Sequence, residues 1–240
     1  MNSITNRIKQ KLAIRPKIRA FLRSFYLDDY ALDTDMYFKL KALETTCDYI
    51  TKNMSGIPKY PERFDVLKHG LSKVSLNGLY CEFGVFKGDS LMFIKQNTNQ
   101  EIHAFDSFQG LPETWKSGYE KGFFKLKKAP SFGKGVQVHV GWFDDTIPDF
   151  IKNYTDDKIA FLHIDCDLYS STNTIFKGLE KKIQDGTVIV FDEYFNYPEW
   201  EQHEYLAFQE FIKRNNLSYE YLSYNSKGFQ VAVKIKNPIS

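Results

Sequence analysis

The sequence predicts an α/β protein: a mostly parallel sheet wrapped by helices and finished by an antiparallel hairpin, standing behind an all-helical preface. Three observations carry this. From Leu79 onward short apolar runs alternate with amphipathic stretches; two apolar runs near the C-terminal end are joined by the short turn Asn225, Ser226, Lys227, Gly228; and the residues before 76 read as helix only. A length of 240 residues suits one large domain with an added arm, and 42% hydrophobic with 16% aromatic residues is enough to bury a sizeable core. The expected division is a helical arm and preface over residues 1–76 and an α/β domain over 77–240.

The arm comes first. Residues 1–27 hold Arg7, Lys9, Lys11, Arg15, Lys17, Arg19 and Arg23 and no acid, so that with a net charge of +2 the remainder of the chain sums to −5. An acidic body argues against a nucleic-acid partner, which requires a basic footprint. Ile4, Ile8, Leu12, Ile18, Leu22 and Phe25 recur mostly four apart, the spacing of one or two basic amphipathic helices broken near Pro16. Such a helix packs its apolar stripe on its own domain or on a second copy in a homodimer; contact with an anionic membrane is the alternative. Helices are expected next over 35–53 and 60–75, separated by Gly56, Pro58 and Pro61.

The α/β pattern then runs strand 79–83, helix 89–97, strand 102–105, strand 136–140, helix 145–154, strand 159–164, helix 171–184, strand 188–191 and helix 202–215. Strands over 219–224 and 229–235 form the closing hairpin. The 28 residues from Ser107 to Lys134, rich in Gly, Lys and aromatics, are too long for a plain connection and read as a lid. No apolar stretch approaches the roughly 20 residues of a membrane span, and the first residues carry charge where a secretory signal is apolar. Cys47, Cys81 and Cys166 are scattered and lack CxxC spacing, which fits a reducing compartment and a cytoplasmic location.

Chemistry concentrates at the strand ends. Glu82-Phe83-Gly84-Val85-Phe86-Lys87-Gly88-Asp89-Ser90 joins the first strand to its helix through two glycines, where an open sheet binds ligands beside helix N-terminal amides. The spacing is Gly-x-x-x-Gly, not the Gly-x-Gly-x-x-Gly of dinucleotide enzymes, which disfavours NAD. A ligand bearing a carboxylate and an ammonium suits it, the amides meeting the former and Glu82 the latter; a plain tight turn is the competing reading. Asp106 ends the second strand 24 residues after Glu82, near the spacing at which a carboxylate grips ribose hydroxyls, so the pair implies an adenosine-type ligand. Its competing role is to cap Ser107-Phe108-Gln109. Asp165 and Asp167 close the fourth strand and Asp192 and Glu193 the fifth, a crowd of acids that mutual repulsion forbids without a cation or shared protons. Oxygen ligands select Mg²⁺ first. Helix capping by Asp167 is the plainer alternative.

In this order EFGVFKGDS, HAFDSFQGLPETW, GWFDDTIP, HIDCDLYSST and VIVFDEYFNYPEW resemble the macrocin O-methyltransferase family of class I S-adenosylmethionine-dependent enzymes, over roughly residues 79–210. The resemblance implies a Rossmann-like seven-stranded sheet with an antiparallel last strand. It also implies methyl transfer from S-adenosyl-L-methionine to a hydroxyl of a deoxysugar or other small natural-product acceptor, with magnesium. By position, Glu82, Gly84, Gly88 and Ser90, with the intervening Val85, Phe86 and Lys87, would hold the methionine part of the cofactor, and Asp106 with Ser107 the ribose. Asp165, Asp192 and Glu193 would hold Mg²⁺, with Asp167 as general base. This chain departs from the macrolide-sugar members in having Asp192-Glu193 where they carry two aspartates. Trp115, Tyr119, Phe123, Phe124, Tyr194, Phe195, Tyr197 and Trp200 are expected to wall the acceptor, and His203 to assist as a second base. Rival readings are a metal-dependent glycosyltransferase anchored by Asp165-Cys166-Asp167 and a noncatalytic adenosylmethionine-binding protein.

Overall fold

The computed structural model describes residues 33–237. The basic arm, with its expected lipid or second-copy contact, lies outside the described residues. The chain separates into two compact units, residues 1–41 and 42–240. Of the first, the described part is the start of helix α1 (Thr34–Asn53), where Asp33 Oδ1 accepts the Met36 N–H at 3.0 Å and caps it.

Strand β1 (Lys59–Tyr60) and helix α2 (Arg63–Ser72) lead into β2 (Leu79–Phe83), α3 (Asp89–Asn97), β3 (Ile102–Asp106) and β4 (Val136–Val140). Helix α4 (Phe143–Asn153), β5 (Ile159–Ile164), α5 (Tyr169–Leu179) and β6 (Val188–Phe191) follow. A 3₁₀ turn (Trp200–Gln202), α6 (Glu204–Arg214), β7 (Ser218–Asn225) and β8 (Val231–Lys236) complete the chain. The eight strands form one sheet in the order β1-β7-β8-β6-β5-β2-β3-β4. Only β8 runs against its neighbours, pairing antiparallel with both β6 and β7. This is a Rossmann-like α/β fold with the expected hairpin.

The eighth strand was not expected, because residue 60 read as the start of a helix. Pro61 disfavours the helical region for the residue before it, so Tyr60 stays extended and pairs with Asn225, and α2 begins only at Arg63. The expected helix at 202–215 likewise begins later, at Glu204, because the His203 backbone (φ −111°, ψ −126°) is not helical. Strands β5 and β6 are buried at every residue, as their unbroken apolar runs require with helices on both faces. Phe83, Phe105, Ile164, Phe191 and the α5 and α6 residues Phe176, Phe208 and Phe211 fill one face. Val66 and Leu67 of α2, Leu91 and Ile94 of α3, and Phe161, Val190 and Ala232 fill the other. Alternation puts Glu82 on the face opposite Phe83, and register pairs it with His163.

Candidate active site

The carboxyl ends of β2, β3, β5 and β6 open into one cavity of about 560 Å³, within the range of small-molecule sites. Gly84, Val85, Phe86, Lys87, Gly88 and Ser90 line it from the turn after β2. Asp106 and Ser107 line it from β3, and Asp165, Asp167, Asp192 and Glu193 from β5 and β6. Two expected site residues do not. Glu82 is fully buried and does not line the cavity, with Oε1 2.9 Å from His163 Nδ1 and Oε2 without a hydrogen-bond partner. His203 lies beside Trp115 and Tyr197 instead, its buried Nδ1 unpartnered and its pKa lowered by burial.

The glycines serve the protein's own packing as well as the cavity. Gly84 has φ +88°, and a Cβ there would stand 1.7 Å from the Asp165 carbonyl oxygen, so only glycine lets the β2 turn approach the end of β5. Asp106 ties down the same turn: Oδ2 accepts the N–H groups of Val85 and Phe86, both at 2.8 Å, and Oδ1 accepts that of Phe108 at 2.7 Å. Oδ1 thus closes a local turn and caps no helix, since none follows at 107–109, and Asp106 faces the cavity with one of its four lone pairs unused. Helix α3 starts at Asp89 with no side chain capping its first amides, leaving those donors open beside the turn.

The acids differ sharply from one another. Burial alone would raise Asp192, but His163, Arg63 and Gln230 outweigh it and hold its carboxyl below the usual range. His163 Nε2 is 3.8 Å from Oδ1, while Arg63 at 3.6 Å and Gln230 Nε2 at 3.1 Å address Oδ2. His163 is lowered by burial and raised more by the nearby Asp192 carboxylate and by its hydrogen bond to Glu82, reaching about 10. Protein cations therefore answer part of the repulsion among the acids. The rest is unanswered: burial, then Asp192, push Asp165 well up, and burial, then Asp192, Asp167 and Asp165, do the same to Glu193. Asp167 is raised by burial to about 7, with Lys116 acting against the rise. Its backbone is left-handed (φ +64°), a strained setting that an aspartate tolerates better than most residues.

Oxygen donors with unanswered charge suit a hard cation. Among the described residues, ligand atoms of His163, Asp165 and Asp192 lie within 4.8 Å of one another. Glu193 is outside that group, although its Oε2 is buried and has no hydrogen-bond partner. Of the expected metal ligands the structure therefore gathers Asp165 and Asp192, with His163 beside them.

The segment 107–134 lies along the cavity, which Trp115, Tyr119 and Phe124 line, and Phe229 joins them from the β7–β8 turn. Lys116 Nζ stands 3.4 Å from the Trp115 ring centroid. Phe123 points to solvent, whereas Tyr194, Phe195 and Trp200 are buried packing and Tyr197 backs Trp115, so these do not wall the cavity. Glu204, Arg63, Gln230 and Phe229 were missed from sequence. Glu204 alone left a signal: it occupies the apolar stripe of α6 with Ala207, Phe208 and Phe211, where an acid does not belong without a task.

Residues 81–194, which include the acids of β5 and β6, match the family model described as "Methyltransferase domain". The chain is 23% identical over 161 residues to the 8-demethyl-8-(2,3-dimethoxy-alpha-L-rhamnosyl)-tetracenomycin-C 4'-O-methyltransferase of Streptomyces olivaceus, covering 55% of this chain and 60% of that protein. It is 25% identical over 146 residues to the demethyldecarbamoylnovobiocin O-methyltransferase of Streptomyces niveus, covering 50% of this chain and 54% of that one. The match therefore spans less than two thirds of these relatives' length. Among solved structures, a calicheamicin methyltransferase superposes with TM-score 0.57 at 19% identity, over 72% of this chain and 80% of the other. The O-methyltransferase NovP gives 0.56 at 19% identity, over 74% and 80%. No helix among the described residues is long and apolar enough to cross a membrane. The cavity at the carboxyl ends of the strands is thus set in a fold shared with solved methyltransferases, and the stretch that builds it is similar to the methyltransferase-domain family.

Proposed function

We propose that the chain is an S-adenosyl-L-methionine-dependent O-methyltransferase acting, with Mg²⁺, on a hydroxyl of a sugar or another small natural-product or glycan acceptor. The observation that carries this reading is Asp167. A buried carboxylate held near pH 7 faces the same cavity as the glycine turn and Asp106, so that a general base and a nucleoside-binding turn share one space. The names of the tetracenomycin and novobiocin relatives support a glycoside acceptor, and Trp115, Tyr119 and Phe124 offer it aromatic faces.

The cofactor supplies a methyl group on a positively charged sulfur. The open amides of α3 would meet its carboxylate, and Asp106 with Ser107 its ribose. Asp165 and Asp192 would hold Mg²⁺, whose charge would acidify a nearby hydroxyl. Asp167 would take the proton from the acceptor oxygen as that oxygen bonds the methyl carbon, whose bond to sulfur breaks to leave a neutral thioether. The aromatic side chains and Lys116 of the 107–134 segment orient the acceptor and exclude water. Tritiated methyl transfer from S-adenosylmethionine to a panel of free, nucleotide-linked and glycosidic 6-deoxysugars tests the proposal. Transfer that is lost in Asp167→Asn supports it; transfer that survives the substitution refutes the role of Asp167, and binding without transfer refutes the reaction.

A further inference from the structure

Glu204 is fully buried, the first residue of α6, and outside the cavity. A carboxylate at a helix start ordinarily accepts its own helix's amides. This one does not. Its Oε1 accepts the N–H of Cys166 at 3.4 Å and its Oε2 that of Glu193 at 3.1 Å. Cys166 is the residue between Asp165 and Asp167, and Glu193 follows Asp192, so one side chain spans the two loops that carry the acids of the site. Adding a further carboxylate to a crowded acidic region opposes stability, and an apolar residue would fill the α6 stripe without that cost. Other bonds hold each loop by itself: the Leu168 N–H donates to the Cys166 carbonyl, the Tyr197 hydroxyl to the Glu193 carbonyl and the Tyr194 N–H to the Phe229 carbonyl, and none of these joins one loop to the other. Asp165 and Asp192 are held by strand bonds to the Phe83 and Ile164 carbonyls, but the ladder ends there, and the strained Asp167 lies beyond it.

We infer that Glu204 is a positioning residue: a carboxylate clamp that fixes the β5 and β6 loops relative to each other and so sets the geometry of Asp167 and of the metal-facing acids. The inference rests on the methyl-transfer reading for its effect on rate, but its geometry is testable without it. Glu204→Gln keeps the volume and turns one acceptor into a donor aimed at an N–H. Glu204→Asp keeps both acceptors and withdraws them by one methylene.

Amide hydrogen exchange is followed residue by residue in the wild type and both variants, with calorimetric titration of S-adenosylmethionine and of Mn²⁺ alone. A clamp predicts that Glu204→Gln speeds exchange at Cys166 and Glu193 by about tenfold or more while Asp165 and Asp192 stay protected. It also predicts Mn²⁺ affinity lower by about tenfold and cofactor affinity within about twofold of wild type, the scale on which supporting hydrogen bonds act. On an acceptor found by the panel, kcat falls by about 30-fold or more with KM little changed, and Glu204→Asp recovers part of it. Unchanged exchange at Cys166 and Glu193, or equal acceleration at all four amides, overturns the clamp. Should Glu204→Gln fail to fold, Glu204→Asp carries the same comparison of the four amides. A wild type that methylates nothing refutes the proposed function, while the exchange pattern still decides the clamp.

Discussion

His163 on β5 and the His103–His139 pair on β3 and β4 belong to one sheet, yet their environments pull in opposite directions. His163 lies between two carboxylates, and the hydrogen bond to Glu82 with the charge of Asp192 overcomes burial and raises it to about 10. His139 stacks on Phe105 with ring centroids 4.3 Å apart and faces His103, so burial and a second imidazole lower it to about 4. Burial costs charge at both places. What differs is whether a partner of opposite sign was buried with it. The β5–β6 end of the sheet is built to hold charge for chemistry, whereas the β3–β4 side is built as an aromatic edge that excludes it.

The largest break in this contrast is functional. Asp167→Asn should lower the methyl-transfer rate by about 10²–10⁴-fold with cofactor affinity retained, as removal of a general base does. His139→Gln, on the aromatic edge, should leave turnover within about twofold. Next comes stability. His163→Leu leaves Glu82 buried without a cation and Asp192 with Arg63 alone, and should cost about 3–5 kcal/mol in urea unfolding. A Glu82→Leu, His163→Leu double variant should lose less than the single one, since it removes the orphaned charge; equal or greater loss would show that the pair is not coupled.

The pH dependence sharpens the same comparison. His139 is lowered in the folded state, so the stability it contributes is present above about 6.5 and is lost as pH falls from there toward about 4. His163 is raised, so its contribution is full below about 6.5 and is lost as pH rises through about 10. Thermal unfolding of His139→Gln should therefore show a shallower acid limb than the wild type and an unaltered alkaline limb. A smaller effect is expected at the margin of the edge. Tyr154→Phe removes a hydroxyl that donates to Gln137 at 2.9 Å near solvent, and should cost about 0.5–1 kcal/mol.

Much of this was legible in the sequence for a physical reason: apolar runs such as 159–164 and 188–191 can only be strands buried on both faces, and their ends carry the acids. Gly84 and Asp106 were legible as a pair, though the structure gives both a further task in holding the turn itself. Strand β1 was not legible, because two residues pair with β7 only once the hairpin exists. Arg63, Gln230 and Phe229 reach the site from an early helix and the last turn, and no local spacing announces such convergence. His203 misled for the opposite reason, since an ionisable group close in sequence to the site faces Trp115 and Tyr197 rather than the cavity.

The most direct measurement is calorimetric titration of the purified chain with S-adenosylmethionine, a UDP-sugar and NAD. The account predicts saturable one-to-one binding of S-adenosylmethionine, weakened by Asp106→Ala, and no heat from NAD. Binding of the UDP-sugar without S-adenosylmethionine would contradict it.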